Sequence, residues 1–241
     1  MAQLAQILQH PPPWMSPYLT LARRLLQGGA SQSVAGTLNA AADNDVITVR
    51  FVDQADLPAG EAYEAFIART SCVPTRDNPH DLFNGLMWLA WPRTKRRLNL
   101  LQAEQLALRG SSGPRGTLRD ALTLFDENAA MLQAPEELVD ALRRRDWHTL
   151  FVTRREQWQS ARLMVFGHAL MEKLLQPRKA ITAHVWVVGQ LTDDALTASL
   201  TTERLLARPF LPLPVLGIPG WWSANEEPGF YDDAAVFRPA R

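Results

Sequence analysis

A single cysteine, Cys72, stands in 241 residues, so no disulfide can form within the chain. That usage points to a reducing, cytoplasmic compartment and leaves no disulfide partner to look for. Neither sign of charge is in excess: 25 Lys and Arg face 25 Asp and Glu, for a formal net charge of 0. A dedicated nucleic-acid binder carries a basic excess, so nucleic acid is not favoured as a partner. No apolar run reaches the roughly 18 residues that a membrane span requires. The most apolar late stretch, 205–222, contains Arg208 and Pro209, Pro212, Pro214 and Pro219, which exclude a spanning helix. Residues 1–14 lack a basic start and a long apolar segment and are broken by Pro11, Pro12 and Pro13, unlike a secretion signal. No internal repeat or low-complexity block is visible. Gly110, Gly113 and Gly116 are not a phosphate loop, because no Lys-Ser/Thr follows them.

What remains is ordinary globular composition, 46% hydrophobic and 21% charged. A chain this long buries a sizeable core without staples. Ser16 and Pro17 open a helix to about Leu26 that should stop at Gly28-Gly29, and a second runs from Ser33 to Ala42. VITVRFV (46–52) alternates and is β-branched, as a strand does. Residues 61–69 read as a helix. From His80 to Trp91 the chain is apolar almost all round, which predicts a buried helix. Pro92 interrupts it, and a basic helix follows from about Thr94 to Leu108, then a loop over 110–116. Two short apolar runs flank Asp126-Glu127-Asn128 within 122–132 and predict a β-hairpin. Helices are expected over 135–144, 147–157, 168–175 and 192–207, and strands over 162–166 and 181–188. Residues 209–241 combine many prolines with Trp221, Trp222, Phe230, Tyr231 and Phe237. Proline forbids regular helix there, and such aromatic density is wrong for disorder, so an ordered extended tail is expected.

The predicted fold class is therefore α+β: a helix-dominated single domain with a small mixed or antiparallel sheet. Its body spans 1–208 and its Pro/aromatic-rich tail 209–241.

Four segments carry a family resemblance: VPTRDNPHDLFNGLMWLAWPRTK (73–95) with Leu98-Asn99, RDALTLFDEN (119–128), FGHALMEKLL (166–175), and residues 212–239 from PLPVLGIPGWW to FYDDAAVFRP. Together they resemble the bacterial domain-of-unknown-function family 3025, from about residue 46 onward. The resemblance implies a soluble bacterial protein folded as one unit. It implies no activity, cofactor or catalytic residue.

Chemistry must then be read from the residues. His168 and Glu172 are four apart on one helix face, and His184 follows downstream. The three could hold a divalent metal such as zinc or iron, with Asp126 or Glu127 adding a carboxylate. The same groups could serve as general acid and base. The structural alternative is a backbone-bonded His168 at a strand-to-helix turn and a surface Glu172. His80, Asp81, Asn84 and Lys95 superficially resemble the donors of His-Asn-His metal nucleases, but neither the presenting hairpin nor a nearby second ligand is present. A helix capped by Asn78 or Asp77, with an exposed polar first turn, explains them better. Asp126-Glu127-Asn128 could bind a hard cation but reads more readily as turn chemistry. Tyr231, Asp232, Asp233 and Arg238 read as surface groups that solubilise the tail. Cys72 has no base close in sequence.

A non-catalytic alternative uses arginine-rich faces, with Arg93, Lys95 and Arg97, then Arg143 and Arg144, gripping an acidic partner. Of the two readings with an assigned role, a metal-assisted hydrolase at His168, Glu172 and His184 stands ahead of this binding module. The sequence itself assigns neither.

Overall fold

Phe125, Phe166 and Trp186 meet at the centre of the molecule, each fully buried. The Phe125 ring meets Phe166 and Trp186 edge-on at 5.1 and 5.3 Å, the arrangement the aromatic quadrupole favours. In this computed structural model residues 2–27, 33–109, 116–227 and 229–240 are described. The expected helix stop at Gly28-Gly29 and most of the 110–116 loop lie outside them.

Around that centre lies a four-stranded mixed sheet in the order β4-β3-β5-β6. It is built from β3 (Ala129–Gln133), β4 (Arg162–Val165), β5 (Thr182–Val187) and β6 (Leu211–Pro214). β3 runs antiparallel to β4 and parallel to β5, and β5 runs antiparallel to β6. Pro212 and Pro214 can sit in β6 because it is an edge strand, where a missing N–H breaks no ladder on the outer side. A separate parallel pair joins β1 (Arg50–Asp53) to β2 (Cys72–Thr75).

Helices dominate the rest. α1 (Ala2–Gln9), α2 (Leu19–Gln27) and α3 (Val34–Ala41) lead the chain, and Ser33 caps α3 through its hydroxyl. α4 (Tyr63–Thr70) precedes β2. α5 (Pro79–Ala90) is apolar on most sides and buried, capped by Asn78, whose side chain accepts from the Asp81 N–H. Trp91 breaks the helix, and α6 (Pro92–Arg109) restarts with proline at its first turn, where no N–H is needed. α7 (Thr117–Asn128) runs into β3, α8 (Glu136–Arg144) follows, and α9 (His168–Leu174) packs on α5 and α7.

The α+β, helix-dominated class stands, but the strands divide between two small sheets, and the strand expected over 46–52 joins β2 in the parallel pair and not the mixed sheet. Several elements differ from expectation. The hairpin at Asp126-Glu127-Asn128 is absent: Leu118, Ala121, Leu122 and Phe125 recur at helical spacing, and their burial makes 117–128 one helix. Only its second half, from Ala129, is strand. The 17–26 helix begins as a 3-10 turn (Pro13–Tyr18), and the 147–157 helix is a π-type turn (Thr149–Thr153) followed by a 3-10 turn. The 192–207 helix is two, α10 (Asp193–Ser199) and α11 (Thr202–Leu206), each with its own threonine cap. The 46–52 strand is confined to its later half.

Residues after 209 are tied down at several points. The Asn225 amide donates to the carbonyls of Leu216 and Ile218, the Tyr231 hydroxyl to that of Gly217, and the Trp147 indole to that of Arg238. Asp233 pairs with Lys179 at 3.3 Å, and the Lys179 ammonium lies 4.3 Å from the Phe230 ring centre. Tyr231 and Asp233 thus anchor this segment, and Arg238 bonds the Ala235 carbonyl.

One contact fixes how α9 leaves the sheet. The N–H groups of Phe166 and Gly167 both bond the Ala129 carbonyl. A Cβ on Gly167 would lie 2.4 Å from the Glu127 carbonyl oxygen and 2.5 Å from the Asn128 nitrogen, both backbone atoms that cannot rotate away. Gly167→Ala is therefore expected to lower stability by about 1–3 kcal/mol, the range for overpacking a tight site. Urea denaturation would measure it, and an unchanged midpoint would mean that the two segments can separate freely.

Candidate functional site

Five helices deliver polar side chains to one cavity of about 330 Å³. The first two turns of α5 supply His80, Asp81 and Asn84, α6 supplies Lys95, and the last turn of α7 supplies Asp126 and Glu127. The first residue of α9 is His168. Tyr63 from α4 and Gln102 from α6 also line the wall.

At its centre the two imidazoles face each other. His80 Nε2 and His168 Nε2 are 3.1 Å apart, and a Glu127 carboxylate oxygen is 3.4 Å from His168 Nε2. Each histidine turns its other nitrogen toward an acid: His80 Nδ1 is 2.9 Å from Glu172 and His168 Nδ1 is 4.0 Å from Asp126. Among the described residues His168 Nδ1 has no hydrogen-bond partner. His80, Glu127 and His168 form the one group of three His, Cys, Asp or Glu residues there whose donor atoms, all within 4.8 Å of one another, could share an ion.

Behind them lies a buried ion pair. Lys95 is 3% exposed, and its ammonium donates to Asp126 at 2.5 Å and to the Asn84 carbonyl at 2.7 Å. Burial works to raise the Asp126 pKa, but the Lys95 charge and its hydrogen bond hold it below the usual range. Glu127, with burial and the Asp126 charge both acting against ionisation, is raised instead. Burial pushes His168 down to about 4 against the pull of Asp126, so its ring is neutral at ordinary pH. Asp126 and Glu127 also sit at a helix C-terminus, where the dipole disfavours anions. Lys95 offsets that cost for Asp126.

The family comparison can now be placed on this geometry. The family model described as protein of unknown function (DUF3025) matches residues 49–241. The chain belongs to that family. The match spans every cavity residue just named, so the site of this DUF3025 chain lies wholly inside its family region. Comparison with curated proteins and with solved structures found no match.

The fold redistributes the residues singled out from the DUF3025 sequence. His168 and Asp126 come together, and Glu172 arrives on the far side of His80 rather than beside His168. His184 does not join them. It lies on β5 opposite Ala129, its ring edge-on to Phe210 at 6.3 Å, and it does not line the cavity. The expected set His168, Glu172 and His184 is thus not one ligand set, because β5 carries His184 along the sheet while α5 inserts His80. The polar first turn of α5 is not exposed either: Asp81 and Asn84 are 7% and 8% exposed.

Nor do the basic residues form one free face. Lys95 is turned inward, Arg93 pairs with Asp194 and bonds Asp193 through its backbone, and Arg143 pairs with Glu136 and Asp140. Arg97 is half-buried, and Arg144 is exposed on α8. Cys72 lies on β2 with its thiol 3.7 Å from the Thr70 carbonyl.

Sequence reasoning offered Glu127 as a carboxylate beside His168 but missed His80 as the third member of that group, and it missed Tyr63 and Gln102 altogether. A further signal for Glu127 did exist: an acidic pair closing an amphipathic helix, at the end where acids are unfavourable.

The neutral His168 has a consequence for stability. An unfolded imidazole takes a proton near 6.5, the buried one only near 4. Between those values the unfolded chain binds more protons, so stability falls as pH is lowered through that window. In chelator-treated protein the urea midpoint should be flat above about pH 6.5 and drop steadily toward pH 5. Burial also lowers the pKa of His184, which adds the same sign, and the raised Glu127 acts with the opposite sign, so His168→Asn should flatten the slope. An identical slope in that variant would contradict the assignment.

Proposed function

We propose that the cavity is a metal-dependent hydrolytic centre, with His80, His168 and Glu127 as the three protein ligands. The observation that carries the reading is the pair of imidazoles presenting Nε2 to a common point while Nδ1 of each faces a carboxylate. A ligating histidine characteristically points its second nitrogen at a carboxylate, which sets its tautomer and strengthens it as a donor. Tetrahedral zinc with bonds of about 2.0–2.1 Å separates neighbouring ligand atoms by about 3.3–3.4 Å. The separations of 3.1 and 3.4 Å fit that geometry. Two histidines, one carboxylate and a side open to a cavity is the pattern of a catalytic rather than a structural zinc site.

An ion there would favour an ionised Glu127, reversing the effect of burial. It would polarise a substrate oxygen and bring bound water to a pKa of about 7, which makes a nucleophile at neutral pH. Glu172 acts one step back, holding the His80 ring by a hydrogen bond, while Asp126, 4.0 Å from His168, acts on that ring through its charge alone. In this reading Glu172 orients a ligand instead of being one, and His184 has no part.

The test is metal content by plasma mass spectrometry on purified protein reconstituted with zinc. About one ion per chain is expected. His80→Ala, His168→Ala and Glu127→Gln should lose it, Glu172→Gln should weaken it by about 10- to 100-fold, and His184→Ala should leave it unchanged. Zinc should also raise the thermal midpoint of the parent chain and not that of His168→Ala. Protein that takes up no zinc, or loses it equally in His184→Ala, would exclude the centre.

A further inference from the structure

Arg76, between β2 and α5, lines the cavity with a side chain that is 57% exposed. Its Nε and Nη2 donate to the two Asp81 carboxylate oxygens at 3.1 and 2.9 Å, and its backbone N–H donates to the same acid at 2.6 Å. The buried Asp81 thus fixes the plane of the guanidinium. Nη1 has no partner among the described residues, and the edge that it shares with Nη2 faces away from Asp81. A guanidinium held along one edge presents the other to an oxyanion with its direction already set. Asp81 follows His80 in the first turn of α5. Tyr63, and Glu172 that holds His80, are both close enough to act on the Arg76 charge.

Tyr63 adds a second donor to the same wall. The Lys95 ammonium has no acceptor, so it donates to the Asn84 carbonyl, which turns the Asn84 NH₂ toward the Tyr63 oxygen, 3.0 Å away. That oxygen accepts, and its own proton has no acceptor among the described residues. Burial and the charges of Asp81 and Asp126 raise the Tyr63 pKa above its ordinary value, so the hydroxyl stays protonated. The charge of the wall limits what the two donors hold. Lys95 cancels Asp126, and Arg76 cancels Asp81. Glu127 takes up one charge of a divalent ion, and Glu64, the remaining acid of the lining, offsets the other. The wall with its ion is then close to neutral, and it accepts one negative charge at the Arg76 edge more readily than two.

We infer that the substrate is a phosphodiester, with one non-bridging oxygen on the ion and the other held by Arg76 Nη1 and the Tyr63 hydroxyl. This rests on the metal-centre reading. In the reaction the oxygen of water forms a bond to phosphorus. The bond from phosphorus to one ester oxygen breaks, and its electron pair stays on that oxygen. The proton given up by water ends on the departing alcohol. Charge spreads over the non-bridging oxygens as the two bonds exchange, and that is where Arg76 and Tyr63 donate. Both are catalytic residues in this scheme, because both touch the reacting group.

The experiment uses the full chain loaded with cobalt(II), whose visible spectrum reports ligands on the ion. It is titrated with dimethyl phosphate, a singly charged diester, with its neutral relative trimethyl phosphate, and with acetate. Dimethyl phosphate should change the spectrum at concentrations where the other two do not. Arg76→Gln and Tyr63→Phe should keep one cobalt per chain and an unchanged far-ultraviolet circular dichroism. They should bind dimethyl phosphate roughly 10- to 100-fold and roughly 3- to 10-fold more weakly, the ranges for one lost charged and one lost neutral hydrogen bond. Arg76→Lys keeps a cation beside Asp81 and loses the fork, so it should weaken binding as well, even where Arg76→Gln disturbs the fold. The zinc-loaded chain should cleave bis(4-nitrophenyl) phosphate faster than the doubly charged 4-nitrophenyl phosphate. Unchanged binding in the Arg76 or the Tyr63 variants, trimethyl phosphate or acetate binding as tightly as dimethyl phosphate, or a diester cleaved no faster than the monoester would overturn the phosphodiester assignment while the metal centre stands. Failure of the parent chain to take up cobalt would overturn the centre itself and this inference with it.

Discussion

The Lys95 ammonium is buried, and it can only donate. Taking such a charge out of water is expensive unless charge and hydrogen bonds compensate it. Asp126 and Asn84 supply both, and in doing so they join three helices. α6 carries the lysine, α7 the aspartate and α5 the asparagine. Asp126 draws His168 on α9 into its field, and Asn84 orients Tyr63 on α4. The polarity of the cavity wall, with its leftover phenolic proton, follows from one group that has no lone pair.

The second constraint is steric. Glu127 and His168 come close because the turn into α9 crosses the end of α7 almost in contact, which only a residue without Cβ permits at position 167. The same turn lets Phe166 reach Phe125. The aromatic centre and the polar cavity are therefore two faces of a single crossing. Packing sets the distance between the side chains that would share an ion, and interiors at crystal-like density hold such distances tightly.

Three separate clusters in the sequence become one site. His80 with Asn84 and Lys95, Asp126 with Glu127, and His168 with Glu172 each had a plausible local explanation. Asp126 and Glu127 could be set beside His168 from the sequence, but the hairpin reading of 122–132 put them on a turn and gave no reason for His80 to join them. Turn residues outweighed periodicity in that reading. The buried spacing of Leu118, Ala121, Leu122 and Phe125 shows why periodicity governs.

The amino-acid sequence by itself determined the α+β class, the capped and buried α5, the short β-rich segments and the family, and left open whether the sheet was mixed or antiparallel. All of these follow from local rules that act over a turn or a strand: spacing, caps, proline and β-branching. Only the tertiary structure decided which histidines meet. His80 and His168 are 88 residues apart, and their approach depends on α5 packing against α9, a contact that no local rule encodes. His184, nearer to His168 in sequence, is carried off by β5, since a strand's direction is set by its sheet neighbours and not by the chemistry of its side chains.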